Sequence, residues 1–147
     1  MEFESNVQKE VFEKIEPWMM DMFGIFVKKR DDAPFFGINI GSTFVHVGVY
    51  PWGEEEATIT ARAYVVTGVE VTSGLMEFLL KENDTMRFGA FGLDKDSDVF
   101  FQHTIVGSTC DADELKNSVL AVGYTADKYD DQIVRHWGGE RAADRKE

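Results

Sequence analysis

The sequence predicts an α+β fold in the order helix, three strands, helix, two strands, long helix, with a mainly antiparallel five-stranded sheet packed against the helices. Three observations predict it. Apolar residues recur every three or four positions in residues 7–22, 75–80 and 115–137, the period of a helix with one buried face. Over 35–66 and 87–106 the period falls to two, and β-branched and aromatic residues are enriched. Capping or turn residues stand where the period changes: Ser5, Gly24, Asn83, Asp111 and Gly138-Gly139.

Ser5 followed by Gln8 forms a capping box, after which Val7, Val11, Ile15, Trp18, Met19 and Met22 make one amphipathic helix that Gly24 stops. Two readings fit this stripe: packing on the sheet, or a client-facing surface made of Val11, Ile15, Trp18, Met19 and Met22. Residues 25–34 hold Lys28-Lys29-Arg30 beside Asp31-Asp32 and read as a solvated connection, with a basic docking patch as the sharper alternative. Strands are expected over 35–40, 43–50 and 57–66, joined by Gly41-Ser42 and by the polar turn 51–56. In the third, Ala57, Ile59, Ala61, Ala63 and Val65 share one face and Thr58, Thr60 and Arg62 the other. A row of alanines lets a helix come close, so a helix is expected to cross this strand.

Leu75, Met76, Phe78, Leu79 and Leu80 form the second helix, which Asn83-Asp84-Thr85 ends. Strands over 87–93 and 99–106 then flank the polar turn 94–98, and they carry Phe88, Phe91, Phe100, Phe101, Ile105 and Val106 on both faces. One helical layer covers only one face. Phe88, Phe91, Phe100 and Phe101 are therefore expected to supply a dimer or client surface, unless the helices wrap both sides. Asp111 and Glu114 open a last helix whose stripe runs through Leu115, Val119, Val122, Ala126, Tyr129, Ile133 and Trp137. Residues 1–139 then make one domain, and 140–147 are expected to be a disordered charged tail.

Composition narrows the function. With 15 basic against 27 acidic residues the formal charge is −12, which repels phosphate backbones, so nucleic acid is not an expected partner; basic or amphipathic clients are favoured instead. Aromatic residues at 13% and hydrophobic residues at 44% set the chain far from disordered sequences. The single cysteine, Cys110, excludes an internal disulfide and a cysteine-based zinc site, and fits a reducing compartment. No apolar run approaches the roughly 20 residues a bilayer requires, so no membrane insertion is expected. Glu2, Glu4 and Glu10 make a poor secretory signal; cytoplasmic residence is the expectation.

No set of residues forms a catalytic or cofactor motif. Asp94, Asp96 and Asp98 copy the first ligands of an EF-hand loop, but Val99 stands where a glycine is required and Ile105 where a bidentate glutamate is. A hairpin turn is the better reading. His46, His103 and His136 have no ligand spacing, and Cys110 before the last helix reads as a small packing residue rather than a reactive thiol. Gly89 and Gly92 form no phosphate-binding loop. Asp127, Asp130 and Asp131 read as a solvated helix face. No enzyme activity, metal or cofactor is expected.

The element order resembles that of the bacterial type III secretion chaperones. Within that superfamily, residues 78–133 resemble the YbjN-like branch: a helix ending in Asn83, the strand Phe88-Gly89-Ala90-Phe91, a histidine-bearing strand, and Ala126-Asp127-Lys128-Tyr129-Asp130-Asp131. The resemblance implies a type III secretion chaperone-like fold and a small, acidic, dimeric, non-catalytic protein that holds a partly unfolded client. Physically, such a domain would accept an extended peptide by strand addition at a sheet edge. Two other readings stay open: a sensory-transduction or stress-response regulator acting through one folded partner, and a small-molecule binding protein.

Overall fold

The computed structural model describes residues 1–145. Three helices are present where the periodicity places them: α1 (Asn6–Phe23), α2 (Ser73–Thr85) and α3 (Ala112–Trp137). All three are capped at the start by a side chain. Ser5 Oγ accepts from the Gln8 amide at 3.0 Å, Thr72 Oγ1 from Leu75 at 3.1 Å, and Asp111 Oδ1 from Glu114 at 2.8 Å. Gln8 reaches back as expected, but to the Glu4 amide, at 2.7 Å. α1 continues through Pro17.

Among the described residues the sheet has seven strands. Five correspond to the expected ones: β2 (Phe35–Ile40), β3 (Thr43–Trp52), β4 (Glu56–Thr67), β5 (Ala90–Leu93) and β6 (Val99–Val106). Two are additional and only two residues long, β1 (Lys28–Lys29) and β7 (Glu140–Arg141). β1 lies in the expected connection and pairs with β2. β7 lies in the expected tail and pairs with the end of β4 through Val66 and Thr67, followed by a 3-10 turn at Ala142–Asp144; residues 146–147 of that tail lie outside the described residues. The order is β1-β2-β3-β4-β6-β5, every pairing antiparallel. β5 starts three residues later than the expected strand because Gly89 takes φ +83°, so Arg87 and Phe88 lie outside the ladder.

The core lies between this sheet and α1 and α3. On β4, Ala57, Ile59, Ala61, Ala63 and Val65 are all essentially inaccessible, as the alternation requires. α3 crosses this row of small side chains and packs on β4, β6 and β3. It also comes close to β2 at Gly123, where a Cβ would sit 2.7 Å from the Ile40 side chain. Phe12 of α1 stacks on Phe36 of β2 with ring centres 5.0 Å apart. α2 closes the β5 end, where Phe78 meets Tyr129 and Trp137 of α3, and Tyr129 meets Phe91. All three helices therefore serve one face of the sheet.

Candidate functional site: the open face of the sheet

The opposite face has no helix over it. Along β2, β3, β4 and β6 the residues that alternate away from the core include Phe35, Phe44, His46, Tyr50, Arg62, Tyr64, Phe100 and Gln102, with Thr58, Thr60 and Thr104 among them. The 3-10 turn at Ala142–Asp144 reaches it at one end. It is neither hydrophilic nor plainly greasy: Phe35, Phe44 and Tyr64 are half-buried and Phe100 is buried, while Tyr50 is 43% exposed and Trp52 at its rim 71% exposed.

One arrangement recurs three times on this face. An aromatic ring packs against a glycine of the neighbouring strand and carries a cation over its ring. Phe44 covers Gly37 with Lys28 Nζ 5.7 Å from its ring centre; Phe35 covers Gly48 with Arg30 at 5.7 Å; Phe100 covers Gly92 with the Arg62 guanidinium at 3.9 Å. The glycines lack the Cβ that would keep the ring away. A Cβ on Gly48 would meet the Phe35 ring at 2.5 Å, and one on Gly92 the Phe100 ring at 2.5 Å. The bare backbone of three glycines is thus sealed by rings, and the exposed ring faces attract the positive groups through their quadrupole.

Two adjoining depressions cross the face and share His46 and Tyr64. The first, of about 510 Å³, is bounded by Arg30, Phe35, Tyr50, Arg62 and Gln102. The second, of about 590 Å³, runs from Phe44 to the Asp94, Asp96 and Asp98 hairpin. Burial and then the Arg30 charge push the His46 imidazole below its usual range, so it is neutral at pH 7. Burial pushes the Tyr50 and Tyr64 phenols up, and Tyr64 donates to Asp94 Oδ2 at 2.9 Å. Burial also acts to raise the Asp94 carboxyl, but the Asp98 amide, the Tyr64 hydroxyl and the Asp96 amide together leave it below its ordinary value. Asp94 is therefore a turn-forming acceptor, consistent with the hairpin reading of this aspartate trio.

A second apolar area lies at the β5 edge. Met76, Leu80 and Leu93 are 43%, 71% and 37% exposed and line a shallow cleft of about 240 Å³ with Leu79 and Phe91. At the other edge, β1 pairs with Phe36 and Gly37 of β2, and among the described residues no strand covers the Ile38 to Ile40 side of β2. Beside it the Gly24–Phe26 turn carries Ile25 and Phe26 at 94% and 66% exposure.

The residues singled out from sequence divide between core and surface. Val11, Ile15 and Met19 are buried on the sheet, and Trp18 and Met22 are half-buried beside them, so the α1 stripe takes the packing reading in this conformation. Phe91 and Phe101 are core residues on the helix-covered face, with ring centres 5.0 Å apart. Phe100 belongs to the open face but is only 8% exposed beneath Arg62, and Phe88 is 45% exposed outside the sheet. The open face itself, with Arg62, Tyr64, Phe44 and Phe35, was not among the residues read as a surface. Its signal was present in the alternation of β4, where Arg62 and Tyr64 fall opposite the alanines.

The remaining chemistry-bearing residues have structural partners. His103 Nδ1 lies 2.8 Å from Ser118 Oγ on α3, and burial pushes its imidazole down. His136 Nδ1 contacts the Gln132 carbonyl at 2.9 Å. Cys110 is buried, donates to the Gly107 carbonyl, and has its thiol pushed up by burial, the reverse of an activated nucleophile. Asp127 and Asp130 both meet Ser42 at the β2–β3 turn. Among the described residues, no group of three or more His, Cys, Asp or Glu side chains is placed to hold a metal ion, and no helix is long and apolar enough to cross a membrane.

Comparison with known proteins agrees with this architecture. The chain is similar in fold to the protein in the ExsC–ExsE complex, with a TM-score of 0.63 at 15% identity over 85% of this chain and 94% of that one. It is likewise similar to a chain of the HopA1–SchA chaperone–effector complex, with a TM-score of 0.61 at 9% identity over 84% of this chain and 96% of that one. Curated proteins return no match by sequence. The sequence profile of TY-Chap1, described as T3SS (YopN, CesT) and YbjN peptide-binding chaperone 1, matches residues 10–145, almost the whole chain. The chain belongs to this family of type III secretion and YbjN-type peptide-binding chaperones.

Proposed function

We propose that this protein is a non-catalytic, chaperone-like module that holds an extended segment of a client polypeptide against the open face of its sheet. The observation that carries the reading is the pattern of half-buried rings on a face that none of the three helices covers. An aromatic surface of this kind gives contact area without demanding one sequence, and Tyr and Phe lose little entropy on binding. The unpaired outer side of β2 offers backbone groups to the same segment, so strand addition and ring contacts act together. Membership of a peptide-binding chaperone family supports the reading, and so does the similarity in fold to chains of two complexes, one of them titled a chaperone–effector complex. The open face replaces the α1 stripe as the docking surface, because most of that stripe is buried.

The protein acts as a homodimer in this reading, joined through Met76, Leu80 and Leu93 at the α2 and β5 edge, which is the apolar area the client face does not use. Its setting is the cytoplasm, where a lone buried thiol stays reduced. The test is retention of short unstructured peptides on the purified protein, with sedimentation to give its mass. The reading expects a dimer that retains peptide, with retention lost in Phe35→Ala/Phe44→Ala when that variant is assayed well below its melting temperature. A strict monomer that retains no polypeptide overturns it.

A further inference from the structure

Arg62 lies at the middle of the open face, on the central strand β4, directly opposite Gln102 of β6. Its guanidinium is stacked on Phe100 and fixed by two hydrogen bonds to Gln102 Oε1, 2.9 Å from Nε and 2.6 Å from Nη2. Two of its five N–H groups are thereby used and three remain. The other arginine of the trough, Arg30, is neutralised by Asp32 through a fork of 3.0 and 2.9 Å. Arg62 makes no ion pair among the described residues. The carboxylate that feels it, Asp94, spends its oxygens on the Tyr64 hydroxyl and on the amides of Asp96 and Asp98. No acidic side chain lines the trough around Arg62.

A half-buried, pre-oriented guanidinium with no direct ion pair, whose neighbouring carboxylate Asp94 is already hydrogen-bonded elsewhere, is a local reversal of the field of a chain of net charge −12. Stacking on Phe100 and anchoring by Gln102 have already removed the rotamer freedom a flexible arginine would lose on binding. We infer that Arg62 is an anion anchor, and that the segment held on the open face presents a glutamate or aspartate side chain to it. The inference rests on the peptide-holding reading above and names the chemistry of the segment. A carboxylate over Arg62 would take the remaining N–H groups, with the Tyr50 hydroxyl and Thr60 beside it in the trough. The whole-chain charge favours basic clients at long range, and the trough selects an acidic side chain at contact.

The experiment uses two pools of short random-sequence peptides, acetylated and amidated at their ends, with the central residue fixed as glutamate in one and glutamine in the other. Binding to the full chain is measured by competition against an immobilised random peptide. The glutamate pool is expected to bind roughly tenfold more tightly, against the direction of the net charge, and Arg62→Gln is expected to bring the ratio of the two pools to about one. Phenylglyoxal labelling of the wild-type protein gives a readout that needs no variant: the glutamate pool should protect Arg62 and the glutamine pool should not. Equal binding of both pools, or equal labelling, overturns the anchor and leaves the peptide-holding reading standing. Binding of neither pool overturns both. Should Arg62→Gln instead split a wild-type dimer, the trough is occupied by a second copy, and the anchor for a client carboxylate is overturned.

Discussion

Asn83 and Phe91 are joined by two hydrogen bonds: the Phe91 amide donates to Asn83 Oδ1 at 2.7 Å, and Asn83 Nδ2 donates to the Phe91 carbonyl at 3.2 Å. The side-chain amide thus stands in for one residue of a missing strand along the outer edge of β5. This gives a physical account of why a helix ending in asparagine precedes this strand: α2 delivers the plug for the edge that follows it. An unpaired strand edge invites pairing with another chain. Asn83→Ala should therefore lower stability by about 1 to 3 kcal/mol, read from the denaturant midpoint, because it leaves both backbone groups of a buried residue without partners. It should also increase self-association relative to the parent, read by light scattering; a variant of unchanged midpoint and mass would show that the edge needs no plug.

Much of the fold was legible because local signals and tertiary packing agree. Ser5 and Asp111 cap the helices they announce, and β2 and β6 begin and end where the alternation does. The alanine row of β4 announced that a helix crosses it, and α3 is the helix that does. β1 and β7 were not legible, since two residues have no period and both lie in charged stretches whose pairing depends on strands far away in sequence. The site was hardest to read for a related reason. Phe100 and Phe101 are adjacent and equally hydrophobic, yet the pleat sends one to the open face and the other to the core, and only the position of the helices tells which is which. Val11, Ile15 and Met19 show the converse: a helix stripe has the same spacing whether it packs on its own sheet or on a client.

Close contact between α3 and β2 predicts a steep response at Gly123. A methyl group there would press on Ile40 at 2.7 Å, and both elements are held in the core. Gly123→Ala should gain a little from helix propensity and lose more to overpacking, for a net loss of about 1 to 3 kcal/mol in the unfolding free energy. A stabilised variant would mean that α3 shifts at no cost.

Ser42, Asp127 and Asp130 predict a stability that falls as acid is removed. The Ser42 hydroxyl lies 2.5 Å from Asp130 Oδ2 and also contacts Asp127 Oδ1 at 2.5 Å, but it has one proton to give. It donates to Asp127, whose carboxyl is held low chiefly by that bond and by the Ser42 amide. Burial, largest among the influences on Asp130, pushes its carboxyl up, so its protonated form donates to Ser42. With the folded pKa above the unfolded one, this contribution is fully present below about pH 3.9 and is lost as pH rises through the folded value. Asp130→Asn should keep a donor to Ser42 at every pH, raising stability near pH 7 by about 1 kcal/mol and flattening the pH profile on its acid side. Loss of stability at pH 7 would sink this account.

The histidines act with the opposite sign. Burial pushes His103 down, and burial with the Arg30 charge pushes His46 down. Each stabilises the fold fully above the unfolded value of about 6.5 and loses that contribution as pH falls through the folded value. His103→Gln retains a partner for Ser118 without a charge to bury. It should remove part of the stability loss seen between neutral and mildly acidic pH, measured by thermal unfolding across that range.

Phe36 and Phe44 separate stability from binding, because they sit on neighbouring strands with their rings on opposite faces of the sheet. Phe36 is 1% exposed and stacks on Phe12, so Phe36→Ala opens a cavity in a core that cannot collapse around it and should cost about 3 to 5 kcal/mol. Phe44 is half-buried, rests on Gly37 and has water or Lys28 on its outer side, so Phe44→Ala removes far less apolar area from protection and should cost about 1 kcal/mol. Peptide retention should reverse that order when each variant is assayed well below its melting temperature: Phe44→Ala loses roughly tenfold in affinity, while the fraction of Phe36→Ala that remains folded binds as the parent does. A docking surface on α1 would give the contrary result, since Phe36 supports α1 through Phe12 and Phe44 does not touch that helix stack. The pair of variants therefore decides which side of the sheet meets the client without requiring that the client be known.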